Sequence, residues 1–128
     1  MMNCVELAKK YNQFQIDIGQ GLETNTDHVI STLFSKSFQK IANGETLVAD
    51  RNGLKDQILI CREEAGPWTI DVKEVEALQD PGRCFIRYQL VSEKLGGFDV
   101  MATLRSSSDG LIEEVDEIYY QTANISSL

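Results

Sequence analysis

The feature of this sequence that most constrains its fold is a change of hydrophobic period close to Trp68. Before that point, apolar residues recur every three or four positions, as on one face of a helix. Leu7, Tyr11, Phe14 and Ile18 follow this spacing and predict a first helix over residues 3–18. After Trp68 the apolar residues alternate with polar ones, which is typical of strands. The chain is therefore expected to place its helices first and its long strands last.

The remaining elements are separated by turn residues. A second helix is predicted to start near Thr26, and a third covers residues 52–64. Between them, an Asn-Gly dipeptide predicts a turn that joins two short strands, residues 37–41 and 46–49. Turns containing glycine or proline then separate four long strands, which cover residues 68–78, 83–93, 98–105 and 111–122.

This order of elements predicts an α+β fold in a single domain of residues 1–128. Three N-terminal helices and the short β pair are expected to pack on an antiparallel sheet of the long strands. Strands of this length twist and coil, so the sheet should curve strongly into a half-cone. Because helices do not fill such a concave face completely, the fold predicts an internal pocket.

Charge and composition argue against several classes of function. The chain has a net charge of −8 and scattered basic residues, so it is unsuited to neutralising nucleic-acid phosphates. No apolar run reaches the roughly 20 residues of a membrane helix, and the N-terminus lacks the apolar core of a secretory signal. Three widely spaced cysteines and one histidine form no metal-ligand pattern. We therefore expect a cytoplasmic protein with reduced thiols, no metal and no cofactor.

Two passages make the chain resemble the nuclear transport factor two-like superfamily. The first is LFSKSFQKIANGE with the helix that follows it, residues 33–64. The second is the ending FDVMATLRSSSDGLIEEVDEIYY, which is similar to the final hairpin of two long strands in that superfamily. The resemblance covers the whole chain and implies the cystatin-like half-cone of ketosteroid isomerases and polyketide cyclases. It implies a homodimer but no single activity, since the superfamily contains enzymes as well as non-catalytic binding and assembly domains.

The catalytic residues of ketosteroid isomerases and polyketide cyclases do not all have counterparts in this sequence. Tyr11 falls where ketosteroid isomerases have a tyrosine on the first helix. Their catalytic base would fall near Ala42 and Asn43, which are not acids. Their buried, protonated strand acid has Asp99 as its nearest carboxylate here. Polyketide cyclases of this fold use a histidine with an acid, but the single histidine, His28, lies at the start of a helix where side chains are usually exposed.

The last strand carries the candidate pocket residues. Aligning its first turn with the final hairpin of the superfamily directs Val115, Glu117 and Tyr119 inward. Glu117 is then the candidate internal carboxylate, with Asp99 as a cross-strand neighbour. Two acids this close would share a proton and form a catalytic acid/base device, with Tyr11 as hydrogen-bond donor. The alternative is that these acids lie at the surface and pair with arginines of adjacent strands.

Both faces of the predicted sheet carry apolar residues. Four side chains on the pocket side are candidates to bind a ligand, with ordinary core packing as the alternative: Tyr11, Trp68, Tyr88 and Met101.

The other face of the sheet carries Ile112, Ile118 and Tyr120, and a sheet that is apolar on both faces needs cover on both. We therefore expect a homodimer through the sheet face.

These observations predict a protein that binds a small hydrophobic or amphipathic molecule. One alternative is a lyase, isomerase or cyclase that uses a pocket carboxylate. The other is a non-catalytic dimerisation or assembly domain.

Overall fold

The computed structural model describes residues 3–22 and 26–125, which form a layer of helices on one face of a six-stranded sheet. The helices are α1 (Cys4–Gly19), α2 (Thr26–Leu33) and α3 (Leu54–Ala65), with a 3₁₀ turn at Arg51–Gly53. The strands are β1 (Phe34–Ala42), β2 (Glu45–Val48), β3 (Trp68–Ala77), β4 (Arg83–Ser92), β5 (Gly96–Ser106) and β6 (Ile112–Ala123). The predicted α+β class is confirmed. Within the described residues, no helix combines the length and apolar character needed to cross a membrane.

Helix α1 forms where the sequence predicts it. The Asn3 side chain accepts a hydrogen bond from the Glu6 backbone N–H at 2.9 Å and so caps the first turn. The apolar stripe of the helix is buried against the sheet. The helix ends at Gly19, where a β-carbon would overlap the side chain and the carbonyl of Trp68. Glycine at this position lets the end of the helix approach the first residue of β3 closely.

The sheet is mixed: the four long strands are antiparallel as predicted, but the short β pair joins their sheet instead of packing on it. Its strand order is β2-β1-β6-β5-β4-β3, and β3 to β6 form the predicted antiparallel meander. Strand β1, however, pairs in parallel with β6. Parallel neighbours are joined by a long crossover, here α3 and four further strands, so no local turn signal predicts the pairing.

A bulge in β6 changes which residues of this strand face the helices. Arg105 pairs with Glu114 and Ser106 pairs with Ile112, so Glu113 is the extra residue. As a result, Ile112 and Val115 are both buried although three positions separate them. The prediction that Ile112 lies on the outer face is therefore wrong.

The core lies between the helices and the covered face of the sheet. Phe34 is at its centre, with the rings of Phe38, Phe14 and Tyr11 edge-on at centroid distances of 4.7, 5.4 and 6.2 Å. On the outer face, Ile118 remains 60% exposed. The two faces of the sheet therefore have different surroundings, and this difference determines the positions of the candidate site residues.

Candidate functional site

A cavity of about 320 Å³ lies between the helices and the covered face of the sheet. This volume is at the lower end of the range for small-molecule pockets, roughly 300–1,000 Å³. Helices α1 and α3 form one wall and strands β1, β4, β5 and β6 the other. Most of its lining is apolar and comes from Phe14, Ile18, Ala42, Leu47, Leu54, Ile58, Ala65, Trp68, Leu90, Leu95, Phe98 and Val100.

An ion pair stands in the sheet wall of the cavity. Lys40 Nζ lies 3.0 Å from Glu117 Oε1, and the two side chains are only 17% and 9% exposed. The parallel pairing of β1 with β6 brings them together, because Ala42 lies opposite Glu117 and Lys40 opposite Val115. Since Val115 and Glu117 both face the helices, Lys40 is directed to the same side.

Two tyrosines stand beside this ion pair. The ring centroid of Tyr11, on α1, lies 5.9 Å from Lys40 Nζ. The buried hydroxyl of Tyr11 has no hydrogen-bond partner among the described residues. Tyr88, on β4, makes two long hydrogen bonds with the Gln15 side chain: its hydroxyl accepts from Nε2 at 3.4 Å and donates to Oε1 at 3.5 Å. Tyr11 lines the cavity, so the cavity wall contains a buried hydroxyl that is unpaired among the described residues.

The protonation states of these groups follow from burial and from the neighbouring charges. Burial by itself would lower the pKa of Lys40, but Glu117, Tyr11 and Tyr88 together outweigh this effect and raise the pKa well above its usual value. Burial raises the pKa of Tyr11. Burial and the charge of Glu117 raise the pKa of Tyr88 well above the ordinary value. At neutral pH this polar cluster, Tyr11, Lys40, Tyr88 and Glu117, therefore contains an ammonium paired with Glu117 and two neutral phenols.

Aromatic side chains form the part of the cavity away from the polar cluster. Trp68 is fixed by a hydrogen bond from its Nε1 to the Gln15 carbonyl at 3.0 Å. Phe98 and Tyr119 pack edge to face with a centroid distance of 6.0 Å. Tyr119 is 39% exposed and lines the cavity where it approaches solvent.

Comparison with known proteins places this geometry in a known fold. No protein-family model and no curated protein sequence matches the chain. An NTF2-like protein of unknown function from Exiguobacterium sp. 255-15 is similar in structure, with a TM-score of 0.70 and 15% identity over 86% of this chain and 98% of that one. The same holds for a cystatin-fold protein from Novosphingobium aromaticivorans (TM-score 0.70, 16% identity, 92% and 99% covered). A SnoaL-like family protein from Agrobacterium tumefaciens str. C58 also matches (TM-score 0.71, 10% identity, 91% and 97% covered).

The chain has the nuclear transport factor two-like fold. The resemblance that the sequence carries is thereby confirmed at the level of the fold, including the predicted cystatin-like α+β architecture. Identities of 10–16% establish the fold alone. Any function must therefore be argued from the residues of this chain.

In this nuclear transport factor two-like fold, Asp99 and Glu117 lie on opposite faces of the sheet. Asp99 pairs with Tyr120, whereas the partner of Glu117 on β5 is Ala102. The Asp99 carboxylate accepts hydrogen bonds from Arg87 Nη2 and the Tyr120 hydroxyl, each at 3.0 Å. The predicted proton-sharing pair of Asp99 and Glu117 is therefore wrong, because Asp99 lies three positions along β5 from Ala102, the partner of Glu117, and an odd offset places the two acids on opposite faces. For Asp99, the alternative of pairing with an arginine is what the structure shows.

The other candidate residues are distributed as follows. Five of them line the cavity: Tyr11, Trp68, Tyr88, Glu117 and Tyr119. Met101 does not, because it pairs with Ile118 and faces outward, so its predicted place in the pocket is wrong. Val115 faces the helices as predicted but is packed in the core below the cavity. His28 is exposed on α2.

Sequence reasoning missed Lys40. The residue falls in the strand that the sequence predicts as half of a short hairpin, and lysine in such a strand usually faces solvent. One signal was present: Phe38, Lys40 and Ala42 alternate, so an inward Phe38 directs Lys40 inward as well. Its charge partner on β6 could not be identified without the parallel pairing.

Proposed function

We propose that this chain binds a small, largely apolar molecule in the cavity between its helices and its sheet. The observation that carries the proposal is the buried hydroxyl of Tyr11, unpaired among the described residues, beside the Lys40–Glu117 pair in a mostly apolar cavity. An unsatisfied buried polar group costs about 1–3 kcal/mol. A ligand that bonds to this hydroxyl recovers that free energy while its apolar part fills the aromatic region.

Binding is favoured over catalysis by the arrangement of the carboxylates. The acid/base device expected from the sequence needs Asp99 and Glu117 close together, but they occupy opposite faces. Glu117 is instead bound to Lys40, and Asp99 to Arg87. The polar cluster thus presents a hydrogen-bonding site rather than a free acid paired with a free base.

Binding can be tested with indane and indanone, two bicyclic probes of suitable size. Each is titrated into the protein while the amide resonances and the fluorescence of Trp68 are followed. We expect changes confined to residues around the cavity. Val100→Phe fills the cavity and should abolish them, while Met101→Phe places the same aromatic ring at the neighbouring position on the outer face and should not. If neither probe binds, or if Val100→Phe binds as well as wild type, the proposed function is wrong.

We also propose that two copies associate through the outer face of the sheet. Exposed apolar residues of that face support this association: Val91, Met101, Ile118 and Tyr120. Sedimentation equilibrium should give a dimer for wild type and a monomer for Ile118→Lys. A wild-type monomer across the accessible concentration range would contradict the proposal, and would leave this face to a different protein partner.

We place the protein in the cytoplasm. The three free cysteines, two of them with sulfur atoms 3.4 Å apart, support a reducing compartment. Cell fractionation followed by thiol labelling tests this placement, and recovery of the protein outside the cytoplasm would contradict it.

A further inference from the structure

The polar cluster restricts the chemistry of the ligand more sharply than the cavity volume does. This inference rests on the proposed binding function and concerns the polar group that the ligand presents to Tyr11, Lys40 and Glu117. Two properties of these side chains restrict the ligand. The first is the set of hydrogen-bond donors that remain free, and the second is the net charge of the cluster.

Hydrogen-bond donors remain free at this place. The Lys40 ammonium has three N–H groups, and the carboxylate of Glu117 takes one of them. The Tyr11 hydroxyl is a second donor without a partner among the described residues. An oxygen that accepts hydrogen bonds satisfies both groups, whereas a ligand group that only donates leaves the Lys40 N–H groups unused.

The charges of the cluster cancel. Lys40 contributes one positive charge and Glu117 one negative charge, 3.0 Å apart and largely screened from water. A ligand carboxylate would add a second negative charge beside Glu117, with its only nearby cation already neutralised. Glu64, the other carboxylate that lines the cavity, adds to this repulsion. A ligand ammonium would have to compete with Lys40 for Glu117.

We propose that the ligand carries a neutral carbonyl oxygen that accepts hydrogen bonds from the Tyr11 hydroxyl and the Lys40 ammonium. Glu117 acts in this arrangement as a charge filter: by neutralising Lys40 it excludes carboxylate ligands. The predicted ligand class is therefore small ketones, esters or amides on an apolar scaffold.

A matched set of probes on one scaffold tests the proposal: indane, indanone and indane carboxylate. In wild type at neutral pH, indanone should bind about tenfold more tightly than indane, as expected for a hydrogen bond to a charged donor and an otherwise unpaired hydroxyl. Indane carboxylate should bind at least about tenfold more weakly than indanone. Tyr11→Phe should reduce the advantage of indanone over indane by about fivefold.

The decisive variant is Glu117→Gln, which keeps the shape of the side chain and removes its charge. Lys40 is then left without its counter-ion, so the order should invert and indane carboxylate should bind more tightly than indanone. A measurement on wild type alone gives a second readout, because the carbonyl stretching frequency of bound indanone should fall relative to water. If this frequency does not fall, the proposal is overturned, whether or not Glu117→Gln folds.

The outcomes separate this inference from the function on which it rests. If none of the three probes binds, the proposed binding function itself fails. If all three bind wild type with similar affinity, or if Glu117→Gln keeps the wild-type order, the cavity binds ligands but the charge filter does not exist.

Discussion

Replacing Lys40 by methionine tests how much the buried ion pair of Lys40 and Glu117 contributes to the stability of the fold. Methionine keeps much of the length and volume of lysine but leaves the charge of Glu117 uncompensated. Breaking a fully buried pair costs about 3–5 kcal/mol, and breaking an exposed pair at most about 1 kcal/mol. The two side chains are 17% and 9% exposed. We therefore expect Lys40→Met to lower the free energy of unfolding by about 2–4 kcal/mol, slightly less than for a fully buried pair.

A second ion pair of the same protein provides the matched control. Lys55 Nζ lies 2.9 Å from Asp27 Oδ1, nearly the same distance, but these side chains are 50% and 78% exposed. Lys55→Met should therefore change the free energy of unfolding by less than about 1 kcal/mol. The double variant Lys40→Met, Glu117→Met removes both buried charges and should recover most of the loss.

Urea denaturation followed by circular dichroism measures all three variants, with the free energy of unfolding extrapolated to water. The expected loss for Lys40→Met corresponds to a fall in Tm of roughly 10 °C for a chain of this size. The reasoning is refuted if Lys40→Met costs no more than Lys55→Met. It is also refuted if the double variant is as unstable as Lys40→Met, because the loss would then not come from an uncompensated charge.

Three further perturbations test other parts of the structure. Gly19→Ala places a methyl group against Trp68, the single tryptophan, so we expect a loss of about 1–3 kcal/mol in the free energy of unfolding and altered fluorescence. The hydrogen bond from arginine holds the pKa of Asp99 below its usual value. Its contribution to stability is therefore present above about pH 4 and is lost as the pH falls through the lowered pKa, so Asp99→Asn should flatten the acid dependence of the free energy of unfolding. Burial raises the pKa of Tyr11 and Tyr88, so stability should fall as the pH rises above about 10, and both phenols should ionise, by ultraviolet absorbance, only as the fold is lost.

Each of these predictions has a control or a result that would contradict it. In Gly53→Ala the added β-carbon meets only a Val48 methyl at 3.9 Å, so this variant should be much closer to wild type than Gly19→Ala. An Asp99→Asn variant with the acid dependence of wild type would show that Asp99 is not stabilised in the folded state. Ionisation of all four tyrosines near pH 10 in the folded protein would show that the cavity phenols are not desolvated.

The local pattern of the sequence determines the helices and strands of this protein. The apolar stripe of α1 and the alternation of β3 to β6 follow from side-chain spacing, because each element must bury one face. The observed bounds of α1, Cys4–Gly19, lie within one residue of the predicted ones. The α+β class and the meander of β3 to β6 follow from the same patterns, since adjacent antiparallel strands need only short turns.

The tertiary structure alone decides the chemistry of the site. Glu117 faces the helices as the sequence predicts, but its partner is Lys40 of β1 rather than Asp99 of β5. The parallel pairing of β1 with β6 joins segments that are distant in the sequence and have no turn between them. A shift of one residue in the register also moves every following side chain of the strand to the other face. The bulge at Glu113 causes such a shift in β6, between Ile112 and Glu117. The sequence therefore determines which segments become strands, while long-range pairing determines which charges meet inside the cavity.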